Sequence, residues 1–396
     1  MNRAGGGRTG GAAAGISVLV PKLPLGNALA RQAPLGTLQV LAEDTPEQRS
    51  KAELCGQPGC QAGTWEPEWQ PEGSCPLAPS PITNFIRQFP MTSLIRRPAP
   101  EAPVAFGPIA FIPGNKAGRY PYCHSLVITG AETWVVDPGS HKEYLRRLAR
   151  ERRVTRVLCS HFHEDHLKYH HLFPEAVFYV PRVELEAFTS LTAVYRLAGV
   201  ADPSFQAYLA ETLARDFHFP VRAPLVPYHP GERLVNGDVV LEIIPAPGHT
   251  PGHSCFFFPG QDLLFLADVD LTPFGPWYGD AASDLADFAE TLERLADFPA
   301  RIFLTSHDQG IFTAAEAGIA LAEFRQVIRD REARLLKVLE TPHTLAELVK
   351  RRLIYGRSRE PAFIYDHMEA QMLAKHLASL ERDGRAERAG ESFRSR

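Results

Sequence analysis

Several things are missing from this 396-residue chain, and each absence excludes something. No run approaches the roughly 18 consecutive apolar residues that a membrane-spanning helix needs, so neither a span nor a membrane partner is expected. The six cysteines (Cys55, Cys60, Cys75, Cys123, Cys159, Cys255) show no paired framework. Cys55-x4-Cys60 has no second pair at zinc-knuckle spacing, so free thiols in a reducing compartment are expected, and with them a cytoplasmic protein. A strong excess of one charge is absent too: the net charge of −4 is far from the basicity of a dedicated nucleic-acid binder. The first 42 residues contain no Asp or Glu but carry Arg3, Arg8, Lys22 and Arg31. That bias suits a targeting leader, but the apolar run Ala12–Val20 is weak and is broken at once by Pro21 and Lys22, which argues against one.

What is present divides into three parts. Residues 1–103 hold 14 of the 34 prolines and keep no period of 2 or 3.6, so they are read as a low-order extension. Met91 is the only methionine between Met1 and Met368, which makes it a candidate start just ahead of the ordered chain. Residues 104–330 carry 19 Lys/Arg against 28 Asp/Glu, and residues 331–396 carry 14 against 10. Strands are expected at Val104–Ile112, Tyr120–Thr129, Thr133–Val136, Val154–Ser160, Ala176–Val180, Cys255–Phe258, Leu263–Ala267 and Arg301–Thr305, with a strand pair over Arg233–Pro245 around Asn236-Gly237. Helices are expected at His141–Arg153, within 182–216, at Ser283–Phe298 with Ser283 as N-cap, and from Thr313 to about Glu340. The class is α/β (α+β).

The densest chemistry lies in Ser160-His161-Phe162-His163-Glu164-Asp165-His166, directly after an apolar strand. Imidazole nitrogen and carboxylate oxygen are standard zinc ligands, and residues i and i+2 of an extended segment project to one side, so His161 and His163 can grip one ion. A turn after Glu164 would carry Asp165 and His166 toward a second. His249, Asp268 and His307 also follow apolar strands. Ligands at several strand ends can converge above one edge of a sheet. Together these seven residues suffice for two ions with an aspartate between them. His170 and His171 are expected to be solvated, and Asp270 and Asp308 to tune or cap. His124, His141, His218 and His229 receive no role.

The ordered set H-x-H-x-D-H, G-H-T-P-G-H, strand-terminal Asp268 and Ser306-His307-Asp308 resembles the metallo-β-lactamase superfamily over about residues 104–330. The resemblance implies a four-layer αββα sandwich with a two-metal site at one edge. It implies that His161, His163 and His249 hold one metal, that Asp165, His166 and His307 hold the other, and that Asp268 bridges them. Asp137 would be a support residue and not a ligand. The implied cofactor is two zinc ions, with manganese or iron as substitutes. A shared water would act as nucleophile, with Asp165 as proton shuttle. His253 is a further catalytic candidate, orienting a ligand or meeting substrate oxygen.

The tail adds a second resemblance. Thr344–Leu353, the apolar stripe Met368, Met372, Leu373, Leu377, Leu380 and the turn Arg382–Ala386 into a hairpin are similar to the winged-helix tail of the lactamase-β-like subgroup. That subgroup includes a single-stranded-RNA endonuclease. The basic C-terminal thiol-recognition motif of glyoxalase II and the β-CASP insertion of the RNA-processing branch are both absent, and His163 stands where the flavodiiron branch has Glu. The expected activity is therefore metal-dependent hydrolysis of a small ester, thioester or lactone. A phosphodiesterase acting on single-stranded RNA and a non-catalytic metal-binding regulator are the alternatives. A small-molecule substrate is expected ahead of nucleic acid, and the C-terminal domain offers a surface for self-association.

Overall fold

The computed structural model describes residues 96–396. The expectations placed on residues 1–95, namely the low-order extension, the leader-like segment, Met91 and the first three cysteines, lie outside the described residues. Ordered chain starts before Val104: Arg96 donates to Leu271 O (2.5 Å) and Arg97 N donates to Gln309 Oε1 (3.0 Å).

Two sheets form the centre. The first has seven strands in sequence order: β1 (Val104–Phe106), β2 (Ile109–Ile112), β3 (Ser125–Thr129), β4 (Thr133–Val136), β5 (Val154–Leu158), β6 (Val177–Pro181) and β7 (Leu225–Tyr228). β1 through β4 pair antiparallel and β4 through β7 parallel. The second has six strands in the order β13-β12-β11-β10-β9-β8: β8 (Arg233–Asn236), β9 (Val239–Pro245), β10 (Ser254–Phe258), β11 (Leu263–Phe265), β12 (Ile302–Leu304) and β13 (Ile311–Thr313). Here only β11 and β12 run parallel.

Alternation along each strand assigns its two faces. Leu126 and Ile128 of β3 join Phe256 and Phe258 of β10 and Phe265 of β11 in the core between the sheets. Val127 and Val157 point to the other side, onto α1 (Lys142–Glu151), α2 (Leu191–Ala198) and α3 (Pro203–Phe217) through Leu145, Val194 and Leu213. Cys255 and Phe303 point to the opposite outer face, onto α4 (Leu285–Ala296) and α5 (Ala314–Val338) through Phe288, Leu292, Leu321 and Phe324. Helices therefore cover both outer faces, giving the four αββα layers. Each fully buried Leu or Phe in these layers contributes about 1.5–3 kcal/mol of transfer free energy.

Local departures from expectation have identifiable causes. The expected strand Val104–Ile112 is a hairpin, because Gly107 takes φ +62° ahead of Pro108. β7 is unanticipated: Pro224, Pro227 and Pro230 read as loop, but an edge strand tolerates proline. α4 is capped by Asp284, whose carboxylate accepts from Ala286 N and Asp287 N; the expected cap, Ser283, donates instead to His249 O at 2.7 Å. His170 is buried in a 3-10 turn, and His171 stacks on His218 with ring centroids 3.6 Å apart, where solvated side chains were expected. Both imidazoles are pushed down to about 4 by burial.

After α5 come β14 (His343–Thr344), α6 (Leu345–Lys350), α7 (Ala362–Arg382), β15 (Ala386–Ala389) and β16 (Ser392–Ser395), with a small sheet in the order β14-β16-β15. α5 runs unbroken across residue 330. Leu335, Leu348, Met372, Leu377 and Leu380 belong to the same apolar cluster as Phe288 and Phe324. Among the described residues no helix is long and apolar enough to cross a membrane, and Cys123, Cys159 and Cys255 are free and buried.

Candidate metal centre

The site is assembled where β4, β5, β9, β11 and β12 run out. Leaving β4, the chain turns sharply at Asp137, a non-glycine residue at φ +47°. The turn aims the Asp137 carboxylate back at the next strand end, where Oδ1 accepts from Ser160 N (2.8 Å) and Oδ2 from Ser160 Oγ (2.7 Å). Gly139 completes this turn; a Cβ there would lie 1.9 Å from Asp165 O. After Ser160 the alternation continues: Phe162 enters the helix-side core, leaving His161 and His163 on the site side. Gly248, at φ +123°, sets up the His249 turn, and any Cβ there would collide with Phe288 Cα at 2.3 Å.

The seven predicted residues converge into two groups that share one carboxylate. In the first, His249 Nε2 lies 3.0 Å from His163 Nδ1, 3.3 Å from His161 Nε2 and 3.3 Å from Asp268 Oδ2. In the second, His166 Nε2 and His307 Nε2 lie 2.9 and 3.3 Å from Asp268 Oδ1, and 3.9 and 3.7 Å from the Asp165 carboxylate oxygens. Asp268 turns one oxygen to each group. Within each group, the potential ligand atoms all fall within 4.8 Å of one another.

The chemistry of these donors fits a divalent metal. Every histidine uses its outward nitrogen on a fixed acceptor: His161 Nδ1 on Ser160 Oγ (2.9 Å), His163 Nε2 on Asp280 Oδ2 (2.8 Å), His166 Nδ1 on Asp137 Oδ2 (2.9 Å), His249 Nδ1 on Trp277 O (2.9 Å) and His307 Nδ1 on Gly118 O (2.5 Å). Those partners put the proton outward and leave an inward lone pair, the tautomer that a metal ligand requires. His166 Nε2 and Asp268 Oδ1 are buried and face each other at 2.9 Å, but without the alignment of a well-formed hydrogen bond to each other or to any other group. Leaving such atoms orphaned costs about 1–3 kcal/mol each, a penalty that ligation of a cation removes. Without a cation the carboxylates draw protons instead. Burial opposes the charged form of His163 and His307, but Asp280 and Asp268 outweigh it, raising them to about 9 and about 10.

Of the two roles expected of His253, orienting a ligand and meeting substrate oxygen, its contacts fit the first. Its Nδ1 donates to Ala246 O (2.9 Å) and its Nε2 accepts from Asp268 N (3.0 Å), so neither nitrogen is free for substrate. Burial pushes its pKa down to about 3, keeping it neutral. It positions the backbone of Asp268. Glu164 turns away from the metal groups and accepts from Tyr120 Oη at 3.0 Å. Asp270 accepts from Thr272 N, and the Asp308 carboxylate pairs with Arg119, so both act in loop shaping as expected. His124, given no role, braces two site loops: its Nδ1 accepts from Gly114 N (2.8 Å) and its Nε2 donates to Asp308 O (3.1 Å).

Sequence reasoning missed Asp280, Trp277, Gly118 and Glu184. Glu184 is buried, accepts from Gly252 N at 2.6 Å and is pushed up to about 7 by burial, so it holds the turn that carries His249. No motif marks these positions. Two of them, Trp277 and Gly118, act through backbone carbonyls, which any residue could supply.

Residues 120–307 match the metallo-beta-lactamase superfamily. A hydroxyacylglutathione hydrolase of Hahella chejuensis (strain KCTC 2396) is 26% identical over 217 residues, which is 52% of this chain and 66% of the relative. An uncharacterized protein of Aquifex aeolicus (strain VF5) is 24% identical over 142 residues, 35% of this chain and 59% of its own. The chain thus spans less than two thirds of the length of these relatives. Among solved structures, a metallo-β-lactamase family protein from Thermus thermophilus superposes with a TM-score of 0.56 at 23% identity, covering 73% of this chain and 99% of its own. A β-lactamase domain protein from Burkholderia ambifaria gives 0.56 at 16% identity, over 75% and 95%. These two likenesses concern the fold.

Proposed function

We propose that this chain, whose residues 120–307 match the metallo-β-lactamase superfamily, is a metal-dependent hydrolase that opens a small ester, thioester or lactone with water. The observation that carries this reading is Asp268, whose two oxygens face two separate groups of inward lone pairs. His161, His163 and His249 would hold one ion, Asp165, His166 and His307 the other, with Asp268 shared. Three imidazoles and a carboxylate suit zinc, and the second group, richer in carboxylate, also accommodates manganese or iron. A bound metal pair supplies an activated water at neutral pH and polarises the oxygen on which charge develops.

The chain's own groups do the rest. Asp165, with an oxygen 3.7 Å from His307 Nε2, is placed to take up the proton of the attacking water. Asp137, bonded to Ser160 and His166, keeps the whole 160–166 segment in register. A cleft of about 1350 Å3 is lined by Lys116, Arg119, Tyr120, Arg147, Asp270 and Asp308, the last two close in sequence to Asp268 and His307, but with none of the seven candidate ligands in its wall, and it is roomy enough for a small molecule. The Hahella relative is named for hydrolysis of an acylated glutathione, which favours an acyl centre over a phosphoryl one. We keep the winged-helix reading of residues 331–396, and the division at 104 and 331, as parts of this proposal. Excess charge of only +4 in that tail places single-stranded RNA second.

The test is turnover of a p-nitrophenyl ester, a thioester, a lactone and labelled single-stranded RNA, each with and without a chelator. Chelator-sensitive release from an acyl substrate is expected. Cleavage of RNA alone moves the assignment to the second reading, and turnover indifferent to chelator refutes the metal-dependent one.

A further inference from the structure

The irregular segment 274–284 contains no ligand, yet it touches the metal centre in three places. Trp277 O accepts from His249 Nδ1 (2.9 Å), Asp280 Oδ2 pairs with His163 Nε2 (2.8 Å), and Ser283 Oγ donates to His249 O (2.7 Å). All three contacts fall on the first group. The outward nitrogens of the second group go to Asp137 and Gly118 O, on the other half of the chain.

The other side of the same segment is gripped by α5 and by residues C-terminal to it. Arg331, 1% exposed, donates to Pro276 O (2.5 Å), Phe274 O (2.6 Å) and Tyr278 Oη (3.0 Å), and its guanidinium lies 4.7 Å from the Phe274 ring centroid. His376 Nε2 meets Tyr278 Oη at 2.7 Å. Lys375 Nζ donates to Asp280 O at 2.6 Å, and Trp277 Nε1 donates to Tyr355 Oη at 3.0 Å. With Nε left without a partner, the buried Arg331 guanidinium relies on the bonds of its two Nη groups to offset burial, which pins the carbonyls of Phe274 and Pro276 to α5. The segment is therefore clamped between two metal ligands and the C-terminal helices.

The geometry points to Arg331, Lys375 and His376 as positioning residues for one metal position only. Through segment 274–284 they set the grip of His163 and His249, and hence the affinity and exchange rate of the ion held by the first group. The second ion does not depend on them. This makes the C-terminal region part of the metal site, whatever else it binds, and it rests on the metal reading given above.

The test loads full-length protein with cobalt(II) and follows absorption bands and stepwise loss of the ions to a chelator. His161→Ala and His307→Ala identify which bands and which step belong to each group. Arg331→Lys keeps the charge but cannot reach three acceptors; Lys375→Met removes the bond to Asp280 O. Each is expected to accelerate loss of the first-group ion about tenfold or more and to shift its bands, with the second-group ion unchanged. Unaltered exchange in both variants overturns the inference, and so does equal loosening of both ions, which would mean general destabilisation. Should Arg331→Lys fail to fold, Lys375→Met, on a partly exposed position of α7, decides alone. A wild-type chain that binds no divalent ion overturns this inference and the metal reading together, and shows itself before any variant is made.

Discussion

Segments 160–166 and 274–284 both border the metal groups, but they are held there by different means. The first contains four candidate ligands and is fastened by its near neighbourhood: Asp137, at the end of the adjoining strand β4, bonds Ser160 twice and His166 once. The second contains none, and is fastened by Arg331, Tyr355, Lys375 and His376, all from later helices or loops. One segment supplies four of the seven candidate donors, and the other aims one of those, His163, together with His249. Ligand identity in this molecule is a local property, and ligand orientation is a tertiary one.

The contrast can be broken most severely at the shared carboxylate. Asp268→Ala removes a donor from both groups, and elemental analysis should show metal content falling in both, with turnover lost. Retention of full metal in this variant would show that the two groups do not share Asp268. Next in size is Asp165→Asn, which keeps the shape of segment 160–166 but removes the base. A turnover loss of about 10²-fold or more is expected, with at least one ion still bound. Glu164→Gln, whose side chain bonds Tyr120 and not the metal groups, should stay within a few-fold of wild type. The reverse ranking of these two variants would mean that the segment is out of register.

A smaller effect compares the two supports directly. Asp280→Asn should weaken the first-group ion alone, and Asp137→Asn the second-group ion directly and the first through Ser160 and His161, each by about 10- to 100-fold in a metal competition assay. A swap of those dependences would undo the comparison. Acid should act on the fold as a whole. Burial pushes His124, His253 and His376 down to about 3 in the fold, against 6.5 unfolded. Between those values the unfolded chain binds more protons, so stability falls as pH falls from about 6.5 toward 3, by up to about 1.4 kcal/mol per pH unit for each histidine. Denaturant midpoints measured at pH 7 and pH 4.5 check this; no loss at pH 4.5 contradicts it. The smallest effect is expected from starting the chain at Met91, which keeps Arg96 and Arg97 with their partners on Leu271, Gln309 and Glu316. Fold, metal content and turnover should all persist, and aggregation or loss of metal would show that earlier residues pack on the core.

Much of the architecture was legible because its signals are periodic. Alternation in Ser125–Thr129 and Ser254–Phe258 marked strands with two buried faces, and the spacing of Leu285, Phe288, Leu292 and Leu295 marked a helix on one. What escaped was short or proline-bearing: the Gly107-Pro108 turn, edge strand β7, and β13, whose Ile311 and Phe312 run directly into Thr313, the cap of α5, and show no period of their own. For His253 the sequence left two roles open, and the choice between them rests on Ala246 O and Asp268 N, a fact about neighbours and not about histidine.

The sequence by itself determined which atoms can bind a metal, because only a few side chains offer imidazole nitrogen or carboxylate oxygen, and seven of them follow strand-like runs in a recognisable order. Only the tertiary structure decided how Asp268 divides its oxygens between two groups, and which partners hold the rings still. The reason is physical: His249 and His307 are oriented by the carbonyls of Trp277 and Gly118, groups that every residue carries, so no letter in the sequence distinguishes the residue that supplies them. The same holds for Arg331, whose letter announces a charge but not the carbonyls of Phe274 and Pro276 that bring it inside.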